Sequence, residues 1–159
     1  MRTLIPILAV AALAGCGSIE TDPADFPATV VTVPARTVVA MRIESLDEPG
    51  IDRFADEVEK QGITPAGDLM ARGADLLVPV ADGTEAEPPL AITDMNAMRV
   101  AAVECQADSL EAVERQVDRL YDWIAASGYR PVEPPIRVLL AYPPAQWRVE
   151  ILIPVATAR

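Results

Sequence analysis

The sequence ADLLVPV at residues 74–80 recurs in altered form as VEILIPV at residues 149–155. Each copy has an acid at its second position, then three aliphatic residues, then proline and valine. Two more segments repeat in the same order: QGITP (61–65) matches SGYRP (127–131), and TVVAMR (37–42) matches RVAAVE (99–104). Matched segments in one order indicate an internal duplication, with halves at about residues 32–80 and 96–159.

A helix is predicted between the first two repeated segments of each half, because apolar residues recur there at helical spacing. In the first half these residues are Ile51, Phe54, Ala55 and Val58, and in the second they are Leu110, Val113, Val117, Leu120, Tyr121 and Ile124. Asp108 followed by Glu111 predicts a capping box at the start of the second helix. Gly62 and Gly128 follow the two helices, where glycine commonly ends a helix.

Strand-like segments follow each helix. Residues 69–72 form a short return strand in the first half, and residues 136–141 and 147–155 form a hairpin in the second. Each half therefore has the order β-α-β-β. The predicted fold class is α+β, with one antiparallel sheet, two helices on one face, and a ligand cleft on the other, uncovered face.

The N-terminus has the pattern of an export signal. Arg2 precedes an apolar stretch at residues 4–14, which is shorter than the about 20 residues that span a bilayer and suits a signal peptide. The stretch ends in LAGC at residues 13–16, which resembles the lipobox of bacterial lipoproteins. That resemblance implies a signal peptide at residues 1–15, removed before Cys16, which becomes lipidated with fatty acyl chains.

Residues 16–31 are then expected to form the lipidated cysteine and a flexible tether, and residues 32–159 a single folded domain. The expected location is the cell envelope, with the domain facing the periplasm or the exterior. Gly17 follows the cysteine in place of the aspartate that retains some lipoproteins at the inner membrane, which favours the outer membrane where a cell has two.

Composition excludes several classes of function. The chain has 13 basic and 24 acidic residues, a net charge of −11 that disfavours nucleic acid as a partner. It contains no histidine, which removes Ser/His/Asp and Cys/His catalytic groups and histidine-ligated metals. Cys16 and Cys105 are the two cysteines, so no intrachain disulfide is expected once Cys16 carries lipid. No metal, no cofactor and a monomeric state are expected.

Three segments resemble the GyrI-like small-molecule-binding family of bacterial effector-binding domains. PARTVV (34–39) is similar to the opening strand of that family, GYRP (128–131) to the turn after the helix, and WRVEILIPV (147–155) to the closing strand. The resemblance implies a duplicated β-α-β-β fold that binds hydrophobic, often cationic, compounds over a glutamate, here Glu150. Val149 stands where the family often has threonine, and Ile43 and Cys105 stand where it often has histidine, which weakens a catalytic role.

Strand periodicity supports Glu150 independently. Alternate residues of a strand share a face, so Glu150 lies on the face opposite Val149 and Ile151. A carboxylate among apolar strands attracts cations when water is excluded. The alternative is that Glu150 faces solvent or pairs with Arg148 or Arg42.

Other candidate ligand-binding residues come from the aromatics and from the repeat. Five of the seven aromatic residues lie between residues 121 and 147, and aromatic faces bind lipophilic cations. Tyr129 and Tyr142 lie near predicted turns, Trp123 lies off the apolar stripe of its helix, and Asp75 occupies in the first repeat the position of Glu150 in the second.

Three functions remain open on the sequence. The first is a membrane-anchored lipoprotein that binds a small hydrophobic or cationic molecule. The second is a hydrolase of reactive small molecules with Glu150 as general base. The third is an envelope interaction domain that has no small ligand.

Overall fold

A computed structural model describes residues 25–158 of the chain. This part contains two helices and nine strands, in the order β1 (Thr29–Val33), β2 (Arg36–Arg42), α1 (Glu48–Lys60), β3 (Leu69–Arg72), β4 (Asp75–Pro79), β5 (Ala91–Met95), β6 (Met98–Ala107), α2 (Leu110–Ala126), β7 (Tyr129–Pro131), β8 (Ile136–Ala141) and β9 (Trp147–Thr157). The predicted α+β fold class is confirmed.

The strands form one antiparallel sheet whose order reflects the duplication. The order is β1-β6-β9-β8-β3-β4-β2-β5, and β7 pairs separately with the end of β9. β3 and β8 pair at the centre, so β2, β3 and β4 of the first half lie on one side with β5, and β6, β8 and β9 of the second half lie on the other side with β1. The strand at residues 69–72 and the hairpin at residues 136–141 and 147–155 are where the sequence pattern predicted them.

Both helices are capped by short polar side chains, and one cap differs from the prediction. Asp47 caps α1 by accepting a hydrogen bond from the Gly50 amide at 2.8 Å. Ser109, rather than Asp108, caps α2 by accepting from the Ala112 amide at 3.2 Å. The predicted capping box is therefore wrong, because Asp108 lies one residue before the cap and accepts instead from the Gln146 side-chain amide at 2.8 Å.

The helices cover one face of the sheet, the helix face. The predicted stripes are buried there, through Ile51, Phe54 and Val58 of α1 and Val113, Val117, Leu120 and Ile124 of α2; Ala55 is exposed. They pack on the alternate residues Val149, Ile151 and Ile153 of β9, none of which is exposed. Burial of this apolar surface is the main favourable contribution to folding.

The opposite face, the inner face, is more covered than the sequence suggested. β1 and β2 are six positions apart in the strand order, about 29 Å in a flat sheet, yet residues 34–35 alone connect them, a span of at most about 11 Å. The sheet therefore curls until its ends approach each other. The inner face then buries a second apolar cluster, made of Val38, Met70, Leu77, Met95, Val100, Ala102, Ile136, Val138 and Leu152.

The domain begins earlier than the predicted boundary at residue 32. Phe26 is 6% exposed within the helix-face core, and β1 pairs with β6 from Thr29 onward. Residues 26–31 therefore belong to the folded domain rather than to the predicted tether. The predicted signal peptide and Cys16 lie outside the described residues. Within those residues, no helix is both long and apolar enough to span a membrane.

Candidate functional site

Glu150 lies on the inner face of β9, as the alternation of residues predicted. Its neighbour two residues on, Leu152, belongs to the inner-face cluster, whereas Val149 and Ile151 belong to the helix-face core. The register places Glu104 of β6 opposite Glu150 on one side and Val138 of β8 on the other. The Glu150 side chain is therefore held on a curled, largely apolar surface.

A pocket of about 150 Å³ opens over this carboxylate. Its walls come from β1 and the start of β2, from β3 and the residue before it, and from β8 and β9. The lining residues are Val31, Val33, Arg36, Asp68, Met70, Val138, Glu150 and Leu152. The pocket therefore combines an apolar surface with one basic and two acidic side chains.

The surroundings of Glu150 favour its protonated form. Burial raises the pKa of the Glu150 carboxyl above its ordinary value, and the negative charges of Glu104 and Asp68 raise it further. Arg36 acts in the opposite direction and lowers the pKa, but it does not compensate for the other effects. A cation placed in the pocket would add to the effect of Arg36 and favour the ionised carboxylate.

The predicted alternative partners of Glu150 are engaged elsewhere. The Arg148 guanidinium donates to Glu104 at 2.5 Å, and Arg42 pairs with Asp75 at 3.4 Å. Within residues 25–158, Glu150 forms no ion pair and no side-chain hydrogen bond, although it is only partly exposed. The alternative in which Glu150 is neutralised by Arg148 or Arg42 is therefore wrong.

Asp75, the equivalent acid of the first repeat, has a different environment. The register places it between Arg42 of β2 and Arg72 of β3. It lines a separate cavity of about 310 Å³ with Arg42, Arg72, Gly73, Ala74, Glu133 and Pro134. The structure therefore does not bring Asp75 together with Glu150, and the first-half acid forms an ion pair with Arg42.

The predicted aromatic residues also lie away from the Glu150 pocket. Trp123, Tyr129 and Tyr142 are partly buried and pack against the helix-face core, on the opposite side of the sheet. The Arg99 guanidinium lies 5.5 Å from the centre of the Tyr129 ring and donates to its hydroxyl at 3.4 Å. The prediction that these three residues line the ligand site with Glu150 is therefore wrong, because they pack on the helix face of the sheet.

Sequence reasoning missed Arg36 and Asp68. Arg36 stands within the PARTVV segment, and its alternation with Val38 would have placed it on the inner face. Its position over β9 depends on the curl of the sheet, which no local pattern reveals. Asp68 lies in a connection before β3 and carries no sequence signal.

The described residues offer little support for other chemistry. They contain no cluster of acids and cysteines suited to hold a metal ion. Burial, followed by the charge of Glu104, raises the pKa of the Cys105 thiol to about 11, so this cysteine is a poor nucleophile near neutral pH. Glu150 is the partly buried acid of the pocket, whereas Asp68 is exposed.

Comparisons with known proteins identify the fold. No protein-family model matches the chain, and a search of curated proteins finds no significant match. Among solved structures, the C-terminal domain of EcmrR is similar with a TM-score of 0.67 at 17% identity, over 84% of this chain and 99% of that domain. In its complex with DNA, EcmrR has a TM-score of 0.69 at 17% identity, over 82% of this chain and 57% of EcmrR.

Two further similar structures are a protein with a bound cation and a hydrolase. SAV2435 bound to tetraphenylphosphonium has a TM-score of 0.53 at 12% identity, over 81% of this chain and 93% of SAV2435. A hydrolase from Listeria innocua has a TM-score of 0.57 at 9% identity, over 81% of this chain and 91% of the hydrolase. These likenesses show that the chain shares the α+β fold of the EcmrR C-terminal domain, which is consistent with the GyrI-like fold that its sequence predicted.

Proposed function

We propose that the chain binds a small molecule with a positively charged group over Glu150. The observation that carries this function is the half-buried, unpaired Glu150 carboxylate among apolar residues. A carboxylate in such surroundings gains most from a cation that excludes water. SAV2435, which shares the fold, has been solved with a lipophilic cation, and this supports the same chemistry here.

A thermal-shift screen against amines, quaternary ammonium compounds and neutral analogues tests this function. A cation at about 100 times its dissociation constant should raise stability by about 2.7 kcal/mol. Glu150→Gln should weaken binding by about tenfold to a hundredfold, since charge-assisted hydrogen bonds contribute about 1.5–3 kcal/mol. The control is Glu59→Gln, an exposed acid of α1 on the helix side. Neutral analogues that bind as well as the cations would contradict the proposal.

The sequence also supports anchoring through Cys16, with the domain outside the cytoplasm. Residues 17–25 would then lie between the lipidated cysteine and Phe26, a buried residue of the described core. Mass spectrometry of the chain extracted from membranes would measure acylation at Cys16. Cys16→Ser should abolish it and release the protein from the membrane fraction; membrane retention of this variant would contradict a lipid anchor.

A hydrolase is the second candidate, because burial raises the pKa of the Glu150 carboxyl, and a raised pKa makes a carboxylate a stronger general base. The similar structure of a Listeria innocua hydrolase is compatible with it. Incubation of each bound compound with the protein, followed by mass spectrometry, separates the two functions. A compound consumed by the wild type but not by Glu150→Gln would favour the enzyme.

A further inference from the structure

The Glu150 pocket holds three charged side chains that do not neutralise one another by contact. Within residues 25–158, Arg36, Asp68 and Glu150 form no ion pair and no side-chain hydrogen bond with any residue. They come from three places in the chain: the start of β2, the connection before β3, and the middle of β9. The fold therefore brings one unpaired cation and two unpaired anions to a single small cavity.

Arg36 is the least expected member of this group. It is half-buried in a chain with many acids, yet no carboxylate of the described residues lies within ion-pair distance of its guanidinium. A guanidinium shielded from water without a partner is costly, and its planar donors fit a carboxylate in two parallel hydrogen bonds. This side of the pocket suits an anionic group, whereas the Glu150 side suits a cationic one.

We propose that the natural ligand is a small zwitterion, an aliphatic amino acid whose carboxylate binds Arg36 and whose ammonium group binds Glu150 and Asp68. This inference rests on the proposed function, because it places the positively charged group of the ligand over Glu150. The inference adds a contact between Arg36 and the carboxylate of the ligand, and it limits the size of the ligand.

The dimensions of the pocket support that limit. Its volume of about 150 Å³ is below the about 300–1,000 Å³ typical of pockets for drug-sized ligands. Apolar lining from Val31, Val33, Met70, Val138 and Leu152 leaves an aliphatic side chain as the best occupant of the remaining space.

In the first repeat, the equivalent acid already has a positively charged partner within the protein. Asp75 lies opposite Arg42 and Arg72 in the sheet register and forms an ion pair with Arg42 at 3.4 Å. In the second repeat, Glu150 is flanked by Glu104 and Val138. The acid of the second half therefore depends on a ligand to supply the positive charge that pairs with it.

Isothermal titration calorimetry of the full chain in mild detergent tests the proposal with a matched ligand set. L-valine carries both charges, isobutylamine lacks the carboxylate, and isovalerate lacks the ammonium group. 4-Aminobutyrate carries both charges at a wider spacing. At least one of the two zwitterions should bind at least tenfold more tightly than isobutylamine and isovalerate.

Two variants assign the contacts. Arg36→Gln should reduce the affinity of the zwitterion to that of isobutylamine, and Glu150→Gln should weaken both ligands. Arg53→Gln, which changes an exposed arginine of α1 on the other side of the sheet, is the matched control and should change neither. If Arg36→Gln does not fold, Arg36→Lys keeps the charge, loses the paired donors, and should still weaken the zwitterion selectively.

The outcomes separate this inference from the proposed function. If the affinity for isobutylamine is within twofold of that for the zwitterions, the proposal of a zwitterionic ligand is wrong, while cation binding at Glu150 stands. The same conclusion follows if Arg36→Gln leaves the ratio of these affinities unchanged. If larger cations bind and none of the four compounds does, the size limit is wrong. If no cation and no zwitterion binds, both proposals fall.

Discussion

Glu104 and Glu150 lie directly opposite each other across β6 and β9, and they are the counterparts of Arg42 and Asp75 in the first repeat. The duplication has kept both positions and changed one charge. In the first half the pair forms an ion pair at 3.4 Å. In the second half two carboxylates face each other, and Arg148 neutralises Glu104 but leaves Glu150 without a partner. The two halves thus share a fold and differ in whether an acid is available to a ligand.

Ligand affinity should depend on pH through Glu150. Its pKa is raised by burial, then by Glu104 and Asp68, so a cation gains affinity as the pH rises through this raised pKa and the carboxyl ionises. Glu104→Gln removes the opposing charge and should move the midpoint of this rise to lower pH. Calorimetric titrations of a bound amine between pH 4 and 8 measure both midpoints.

Glu133→Gln is the control for that experiment, because Glu133 is exposed and lies outside the Glu150 pocket. An unchanged midpoint in Glu104→Gln would contradict electrostatic coupling between the two facing carboxylates.

Stability should change with pH in the opposite direction. A carboxyl whose pKa is higher in the folded state binds protons more tightly there, so its contribution to stability falls as the pH rises through that raised pKa. Glu150→Gln removes this loss and should unfold at a higher urea concentration than the wild type at pH 8. At pH 4 the difference should be smaller. Equal midpoints at pH 8 would show that the carboxylate is not penalised by burial.

The repeat and the strand alternation were sufficient to predict the two halves, both helices and the inner-face position of Glu150. They could not predict which residues stand over Glu150, because Arg36 reaches it only through the curl that joins β1 to β2. The positions of Tyr129 and Tyr142 were predicted wrongly for a different reason: the sequence pattern does not show on which face of the sheet the segments before and after β8 pack. The α2 cap differed by one residue, since Asp108 and Ser109 are both good capping residues and the competing Gln146 contact is long-range.

Phe26 should be essential for stability although it precedes the first strand. It is 6% exposed, and the Arg119 guanidinium lies 4.8 Å from the centre of its ring. Phe26→Ala should lower the free energy of unfolding by about 3 kcal/mol, as large core truncations do. Urea unfolding followed by tryptophan fluorescence measures this loss. Val132→Ala, at an exposed valine, should change the free energy of unfolding by at most about 0.5 kcal/mol. An equally small effect of Phe26→Ala would show that residues 26–28 are not part of the folded domain.

The ion pair between Arg137 and Glu114 should be the one that contributes most to stability among the described residues. Arg137 of β8 donates two hydrogen bonds to Glu114 of α2, at 2.9 and 2.7 Å, and its side chain is 13% exposed. Glu114→Gln should cost about 1.5–3 kcal/mol, because it leaves a shielded guanidinium without its carboxylate. Urea unfolding gives the loss directly.

The matched control is Glu111→Gln on the same helix. Glu111 pairs with Arg115 at 3.0 Å, but the side chains are 85% and 60% exposed, so this substitution should cost at most about 0.5 kcal/mol. The double variant Glu114→Gln with Arg137→Met removes both members of the shielded pair and should recover most of the stability, since an apolar side chain needs no partner there. If the double variant is as unstable as Glu114→Gln, the loss comes from packing between α2 and β8 rather than from the unpaired charge.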